Sequence, residues 1–214
     1  MEKRIKTAKR KPASRLQPGS MTAESYIRDH WMRRQTYLHL EWPKHQARLE
    51  GCAKRLPDRP GARYIDVGCA TGHSTAILKK FRPGFWTGVD FSQTAIAAAW
   101  RFYPKGITFF EIPEISALGQ MGIFDGVVCS EVLEHVQDDL TLAKMLIWIT
   151  APGGRLVATT PTTHVSDPGH LRIYTGKTLR WLFELASQGQ ALKIEVETAG
   201  PFFYLTAEKG ATDP

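Results

Sequence analysis

The sequence has few cysteines, no long hydrophobic run and only an average share of charged residues. Three cysteines among 214 residues are too few for a disulfide framework, which favours a reducing compartment such as the cytoplasm. The longest apolar run, residues 145–151 with Thr150 inside it, is far shorter than the roughly 20 residues that cross a membrane. A hydrophobic share of 43% and a charged share of 23% argue against a disordered, collagen-like or coiled-coil chain. We therefore expect a soluble globular protein without a membrane partner.

Positive charge is concentrated at the start of the chain. The net charge is +7, and seven of the 28 Lys and Arg residues lie within residues 1–15, against a single acidic residue, Glu2. Such a segment is typical of a solvated, disordered arm, with nucleic-acid or anionic-surface contact and an organellar transit peptide as alternatives. We expect a disordered basic tail at 1–20, followed by a nearly neutral remainder.

Aromatic residues recur at roughly helical spacing after this tail. The spacing predicts two helices between residues 22 and 56, divided at Pro43 and ending before Pro57. These helices would form a cap at 21–57, ahead of a larger domain at 58–209. Four aromatic side chains either complete the core of the cap or form an apolar wall over a ligand: Tyr26, Trp31, Tyr37 and Trp42.

Short apolar runs alternate with helical segments over the rest of the chain. This alternation predicts an α/β fold with a doubly wound, mostly parallel sheet of seven strands, covered by helices on both faces. The last two strands are separated only by a Gly-Pro turn, which is too short for a crossover helix, so they should form an antiparallel hairpin. The predicted strands are 63–67, 85–89, 107–111, 124–129, 155–160, 192–197 and 202–207, and the predicted helices are 74–81, 93–103, 140–150 and 178–187.

Two of the predicted strands end in residues that suit a nucleoside. Gly68 and Gly72 follow the first strand, where they allow a sharp turn and a close approach of ligand to the backbone and to the next helix. Asp90 ends the second strand, where a carboxylate can accept hydrogen bonds from both hydroxyls of a ribose. Ligands of open α/β sheets bind at such strand ends. Together the two junctions predict a nucleoside cofactor.

At these junctions the sequence resembles the class I S-adenosylmethionine-dependent methyltransferases, and the resemblance extends from residue 61 to about residue 207. Four blocks carry it, at residues 66–72, 88–92, 124–131 and 152–157. It implies a Rossmann-like methyltransferase fold and S-adenosyl-L-methionine as the cofactor. The residues that it implies for cofactor binding are Asp66, Gly68, Ala70, Gly72, Asp90, Phe91, Ser130 and Glu131.

Ala70 departs from the pattern of this family, which usually has a glycine at that position. The added methyl group would leave cofactor binding in place but alter the affinity or the path of the loop. A protein that keeps the fold and binds without catalysis is therefore one alternative. A dinucleotide dehydrogenase is a weaker one, because its G-x-G-x-x-G pattern and its sheet without a reversed hairpin do not match.

The fourth junction, Ser-Glu-Val-Leu-Glu-His at 130–135, bears on the type of acceptor. It resembles small-molecule O-, N- or C-methyltransferases, including ubiquinone-pathway enzymes. It also resembles small-RNA 2′-O-methyltransferases, in which a similar sequence and a later histidine hold a divalent metal. We favour the interpretation without metal, in which Glu131 caps a turn near the cofactor while Glu134 and His135 pair with backbone or with Arg172. The alternative metal ligands are Glu131, Glu134, His135 and His170.

The segment at 169–175 is similar to a stretch of the same small-molecule enzymes and suits an active-site wall. His135, His170 and Glu131 are the predicted catalytic residues, because a histidine is suited to take a proton from the attacking atom. Thr175 and Tyr174 either contribute to this site or only cap and pack the following helix. The predicted function is methylation of a small molecule; the alternative is an RNA methyltransferase that uses the basic tail for nucleic-acid contact.

Overall fold

Seven strands form one sheet within the residues that the computed structural model describes, 42–163 and 169–211. The strands are β1 (Arg63–Val67), β2 (Phe85–Asp90), β3 (Ile107–Glu111), β4 (Phe124–Ser130), β5 (Thr150–Pro161), β6 (Leu192–Ala199) and β7 (Phe202–Lys209). Their order across the sheet is β3-β2-β1-β4-β5-β7-β6. Strands β1 to β5 are parallel, and β7 lies antiparallel between β5 and β6. The predicted α/β class with its C-terminal antiparallel hairpin is confirmed.

Helices connect the parallel strands. The first begins at Pro43, where the missing N–H of proline is tolerated because the first turn of a helix has no partner for it. It is the second of the two helices predicted before residue 57. The other one, the basic tail at 1–20 and the aromatic residues before Trp42 lie outside the described residues. The described helices are α1 (Pro43–Arg55), α2 (His73–Phe81), α3 (Gln93–Phe102), α4 (Asp139–Trp148) and α5 (Gly176–Ser187).

Hydrophobic side chains pack on both faces of the sheet. Leu49 of α1 and Leu78 of α2 join one cluster with Tyr64 of β1, while Leu146 of α4 and Phe183 of α5 join the other. Four of the five residues of β1 are buried, as expected for a parallel strand that is covered on both faces. This packing fixes the strand ends on which the site is built. Within the described residues, no helix has the length and apolar character of a membrane span.

The connection between α4 and β5 differs from the prediction. Helix α4 ends at Trp148, two residues earlier than expected, and β5 begins at Thr150, five residues earlier. Thr150 pairs with Phe124 of β4, and the register then shifts before Gly126 pairs with Arg155. The polar and glycine residues at 150–154 thus form an irregular strand rather than a helix end and a turn.

Candidate active site

The turn between β1 and α2 depends on glycine at both of its ends. Gly68 and Gly72 have φ angles of 83° and 82°, in the left-handed region that favours glycine. A Cβ atom on Gly68 would clash with Val132, and one on Gly72 would lie 2.7 Å from Cζ of Phe109. The first of these contacts shows that the turn packs directly against the residues that follow β4. The ends of β1 and β4, which are neighbours in the sheet, therefore border one site.

Ala70 lies in the same turn with a φ angle of 45°. An alanine in the left-handed region carries a strain of about 1 to 2 kcal/mol that glycine would avoid. Its N–H donates a hydrogen bond of 2.9 Å to Oδ2 of Asp90. The departure from the usual glycine is therefore accommodated within the turn, and a bond to β2 holds it in place.

Asp90 connects the turn to the end of β2. Besides the bond from Ala70, its Oδ1 accepts a hydrogen bond of 2.9 Å from the backbone N–H of Ser92. Burial raises the pKa of the Asp90 carboxyl to about 6, although both backbone bonds oppose the shift. Phe91, the next residue, is 41% exposed.

Asp66 has a supporting position in the turn. Its Oδ2 accepts hydrogen bonds of 2.7 Å from the hydroxyls of Ser74 and Thr75, in the first turn of α2. Burial raises the pKa of the Asp66 carboxyl, and these two hydroxyls and Arg48 lower it again. Asp66 thus holds α2 against β1. Helix α2 itself has no side-chain cap at its N-terminus, which leaves its first amides for another acceptor.

The end of β4 carries a second polar group. Glu131 has a φ angle of 58°, and its Oε1 accepts a hydrogen bond of 3.1 Å from the hydroxyl of Thr159 at the end of β5. The same hydroxyl lies 2.8 Å from Oγ of Ser130. Burial raises the pKa of Glu131, while Arg48 and Thr159 lower it. An acidic side chain in a strained backbone conformation is a common feature of functional sites.

Arg48 of α1 is a residue of this site that the sequence analysis missed. Its Nη1 lies 3.5 Å from Oε2 of Glu131 and 3.0 Å from Nδ1 of His45, and its guanidinium stacks over the ring of Phe202. Only 4% of Arg48 is exposed. The signal was its place in the buried stripe of α1, where an arginine is unusual among apolar residues. The other members of that stripe are Leu49, Cys52 and Ala53.

Three of the four proposed metal ligands come together, and the fourth does not. Potential ligand atoms of Glu134, His135 and His170 all lie within 4.8 Å of one another. The two imidazole rings are 4.6 Å apart between centroids, and Nδ1 of His135 lies 3.0 Å from the carbonyl oxygen of Gly169. Glu131 is outside this group and contacts Arg48 and Thr159 instead. The three grouped side chains have the chemistry of a divalent-metal site.

The segment that carries His170 is fastened to the loop after β4. Arg172 donates to the carbonyl oxygens of Leu133, Val136 and Gln137, and its Nη1 lies 3.2 Å from Oδ2 of Asp139. These bonds hold residues 169–172 next to Glu134 and His135. Arg172 thus contacts the main-chain carbonyls of this loop, whereas the expected partners of Arg172 were the side chains of Glu134 and His135.

Tyr174 and Thr175 have structural contacts. The hydroxyl of Tyr174 donates to Oδ2 of Asp139, and the side chain is buried. Thr175 caps α5 in a reciprocal arrangement with Thr178. Of the two interpretations of this pair, the structure supports capping and packing. Trp42, the described member of the four aromatic residues before α1, is 56% exposed.

Comparison with known proteins points in one direction. The model of a family described as a methyltransferase domain matches residues 35–187. The chain is 35% identical over 100 residues to 2-methyl-6-phytyl-1,4-hydroquinone methyltransferase of Synechocystis sp., which is 46% of this chain and 31% of that protein. It is 34% identical over 118 residues to ubiquinone biosynthesis O-methyltransferase of Xylella fastidiosa, or 53% of this chain and 47% of that protein. The match thus spans less than half the length of either relative.

A solved structure supports the fold. Phosphoethanolamine N-methyltransferase 2 of Haemonchus contortus, in complex with S-adenosyl-L-methionine, is similar with a TM-score of 0.68. The match covers 90% of this chain and 61% of that one at 15% sequence identity. At this identity the likeness concerns the arrangement of strands and helices alone.

Proposed function

Because this chain belongs to the methyltransferase domain family, we propose that it transfers a methyl group from S-adenosyl-L-methionine to a small-molecule acceptor. The observation that carries the proposal is the turn between β1 and α2. A hydrogen bond from the N–H of Ala70 to the carboxylate of Asp90 connects this turn to the end of β2. This turn lies where β1 and β4 are neighbours, the place at which open α/β sheets bind nucleosides.

The residues of the turn fit the proposed cofactor. A carboxylate can accept about four hydrogen bonds, so Asp90 keeps acceptor capacity for ribose hydroxyls after its bonds to Ala70 and Ser92. The uncapped N-terminus of α2 offers amides to a carboxylate. The exposed ring of Phe91 is suited to stack on a base. When bound, the cofactor would supply an activated methyl group on sulfur.

On the acceptor side, the chain has to orient a nucleophile and remove its proton. Glu131 is suited to this because it directly follows β4, next to Val132, which packs against the glycine turn, and its side chain remains 20% exposed. His135 and His170 form the second proton-accepting group, next to Glu134. We assign Glu131 to proton transfer rather than to cofactor binding, the other role that the resemblance implies for it. We assign the pair of histidines to positioning or relaying that proton. No step of this proposal uses a metal.

A small molecule is favoured over RNA as the acceptor. The relatives reported above are named for hydroquinone and ubiquinone chemistry. The basic residues 1–15, on which the RNA alternative depends, lie outside the described residues. The three cysteines are buried free thiols, which agrees with the proposed cytoplasmic location.

The proposal is tested by incubating the full chain with methyl-labelled S-adenosylmethionine and either small-metabolite fractions or total RNA. We expect label in a small molecule and none in RNA, and we expect the Asp90→Ala variant to lose most of the transfer. Label in RNA alone would contradict the small-molecule acceptor. Failure of the chain to bind S-adenosylhomocysteine in a parallel titration would contradict methyl transfer itself.

A further inference from the structure

Arg48 brings a positive charge to the ends of two neighbouring strands. It lowers the pKa of Asp66 at the end of β1 and of Glu131 just after β4. Arg48 lies on α1, which precedes the first strand of the sheet. Its guanidinium stacks over the ring of Phe202 at the start of β7. A guanidinium remains protonated under all ordinary conditions, so it can attract a negative charge but cannot take up a proton.

The described contacts leave the guanidinium only partly satisfied. The distance of 3.5 Å between Nη1 and Oε2 of Glu131 is longer than that of an ordinary hydrogen bond. Nε of Arg48 is buried and has no hydrogen-bond partner within residues 42–163 and 169–211. Buried donors of charged groups are normally paired, so an unpaired one next to a candidate base indicates a place for an acceptor atom of a ligand.

We infer that the methyl acceptor is an oxygen acid, such as a phenol or a carboxylic acid, and that Arg48 binds its oxyanion. This inference rests on the proposed function. The acceptor O–H bond breaks, its proton goes to the carboxylate of Glu131, and the negative charge stays on the acceptor oxygen. That oxygen forms a bond to the methyl carbon as the carbon–sulfur bond breaks, and the electron pair of the broken bond stays on sulfur.

The guanidinium of Arg48 faces one negative charge before and after the proton transfer. Before proton transfer, Arg48 faces the carboxylate of Glu131; afterwards Glu131 is neutral and the oxyanion becomes the partner of the guanidinium. Arg48 thus stabilises the oxyanion that proton transfer produces, which raises the population of the reactive form of the acceptor. An amine acceptor would instead gain positive charge on attack, beside a cation that repels it. The site therefore favours oxygen over nitrogen.

The experiment uses matched oxygen and nitrogen acceptors with the full chain. Turnover of labelled S-adenosylmethionine is measured with 3,4-dihydroxybenzoate, a set of substituted catechols and phenols, aliphatic carboxylic acids, and the corresponding diamine and anilines. We expect transfer to at least one oxygen acid and faster transfer to it than to its nitrogen analogue. Arg48→Gln should lower turnover of the oxygen acid by about 10-fold to 10²-fold, because the reactive oxyanion loses a hydrogen bond to a charged group, and Arg48→Lys should lose less.

Arg55 supplies the matched control on the same helix. Its guanidinium also stacks on an aromatic ring, that of Tyr204, and pairs with a carboxylate, that of Glu197 on the edge strand β6. Arg55→Gln should keep turnover, and all variants should bind S-adenosylhomocysteine as the wild type does and show folded circular dichroism spectra.

Three results would overturn the inference while leaving methyl transfer intact, provided that the cofactor still binds. They are faster transfer to the anilines than to the oxygen acids, no transfer to any oxygen acid, and full turnover of the oxygen acid by Arg48→Gln. If Arg48→Gln does not fold, Arg48→Lys takes its place in the test. Faster transfer by this variant to the oxygen acid than to its nitrogen analogue would support the inference. Loss of that preference would contradict it. Absence of cofactor binding in the wild type would instead contradict the proposed function.

Discussion

The ends of β1 and β2 are built differently from the ends of β4 and β5. At the first pair, backbone amides and nearby hydroxyls bind two carboxylates, as in the bonds from Ala70 and Ser92 to Asp90. At the second pair, side chains meet from distant parts of the chain, as when Thr159 and Arg48 contact Glu131. The first region thus has a shape fixed by bonds to the backbone, and we assign it to the cofactor. The second depends on which elements are packed there, and we assign it to the acceptor.

The sharpest separation of the two regions is expected from Glu131→Gln. The variant keeps the size of the side chain but removes the proposed proton acceptor, so turnover should fall by about 10² to 10⁴-fold while cofactor affinity is retained. Steady-state turnover and a cofactor titration on the same preparation measure this. Glu50→Gln, on the outer side of α1 in an ion pair with Lys54, is the control that should change neither quantity. Full turnover by Glu131→Gln would remove Glu131 from the reaction.

The group of Glu134, His135 and His170 belongs to the second region, and its role can be tested by chelation. We expect EDTA to leave turnover unchanged, and His170→Ala to lower turnover by roughly 10²-fold as a lost proton-relaying or positioning group. Loss of activity with EDTA and its return with Mn²⁺ would instead assign a metal to these three side chains. In that case, metal titration followed by calorimetry should show binding that His170→Ala abolishes.

The first region should show a pH dependence of its own. Burial raises the pKa of Asp90 to about 6, and the proposed ribose contacts require the ionised carboxylate. Affinity for S-adenosylhomocysteine should therefore rise as the pH increases towards 6 and level off above it, with a change of about tenfold per pH unit below the pKa. Calorimetric titration over this range measures the effect. Asp90→Asn should bind weakly at every pH and lose the dependence; the same slope in that variant would place the titrating group elsewhere.

The smallest effect concerns the strain in the glycine turn. Because Ala70 has a φ angle of 45°, Ala70→Gly should raise the free energy of unfolding by about 0.5 to 1 kcal/mol, after the entropy of the more flexible glycine is allowed for. The same substitution at Ala97, exposed in α3, should lower it by about 1 kcal/mol. Urea denaturation of both variants compares them. Equal destabilisation by the two would show that Ala70 carries no strain.

Most of the fold could be predicted because its signals are local. The alternation of apolar strands and helices gives the parallel sheet, and the Gly-Pro turn after β6 leaves room only for a hairpin. The family resemblance carried by residues 66–72 and 88–92 is confirmed by the match of the methyltransferase domain. The start of β5 was missed because the pairing of Thr150 with Phe124 is a tertiary contact. This contact outweighs the local preference of residues 150–154 for a helix end and a turn.

The acceptor side could be predicted only in part, for the same physical reason. Residue types at 130–135 indicated a polar cluster, but their spacing did not reveal that Glu131 turns away from Glu134 and His135. Glu131 has a left-handed backbone conformation, which no preference of glutamate signals. Arg48 lies 83 positions earlier in the chain than Glu131, so its place at the site arises only from packing of α1 on the sheet.

Titration of S-adenosylmethionine into the wild type, Asp90→Ala and Glu131→Gln tests most directly the claim that one region holds the cofactor and the other serves the acceptor. The account predicts binding by the wild type, equal affinity for Glu131→Gln, and an affinity lower by about 1.5 to 3 kcal/mol for Asp90→Ala, which loses hydrogen bonds to a charged group. No binding by the wild type, or equal affinity in all three proteins, would contradict it.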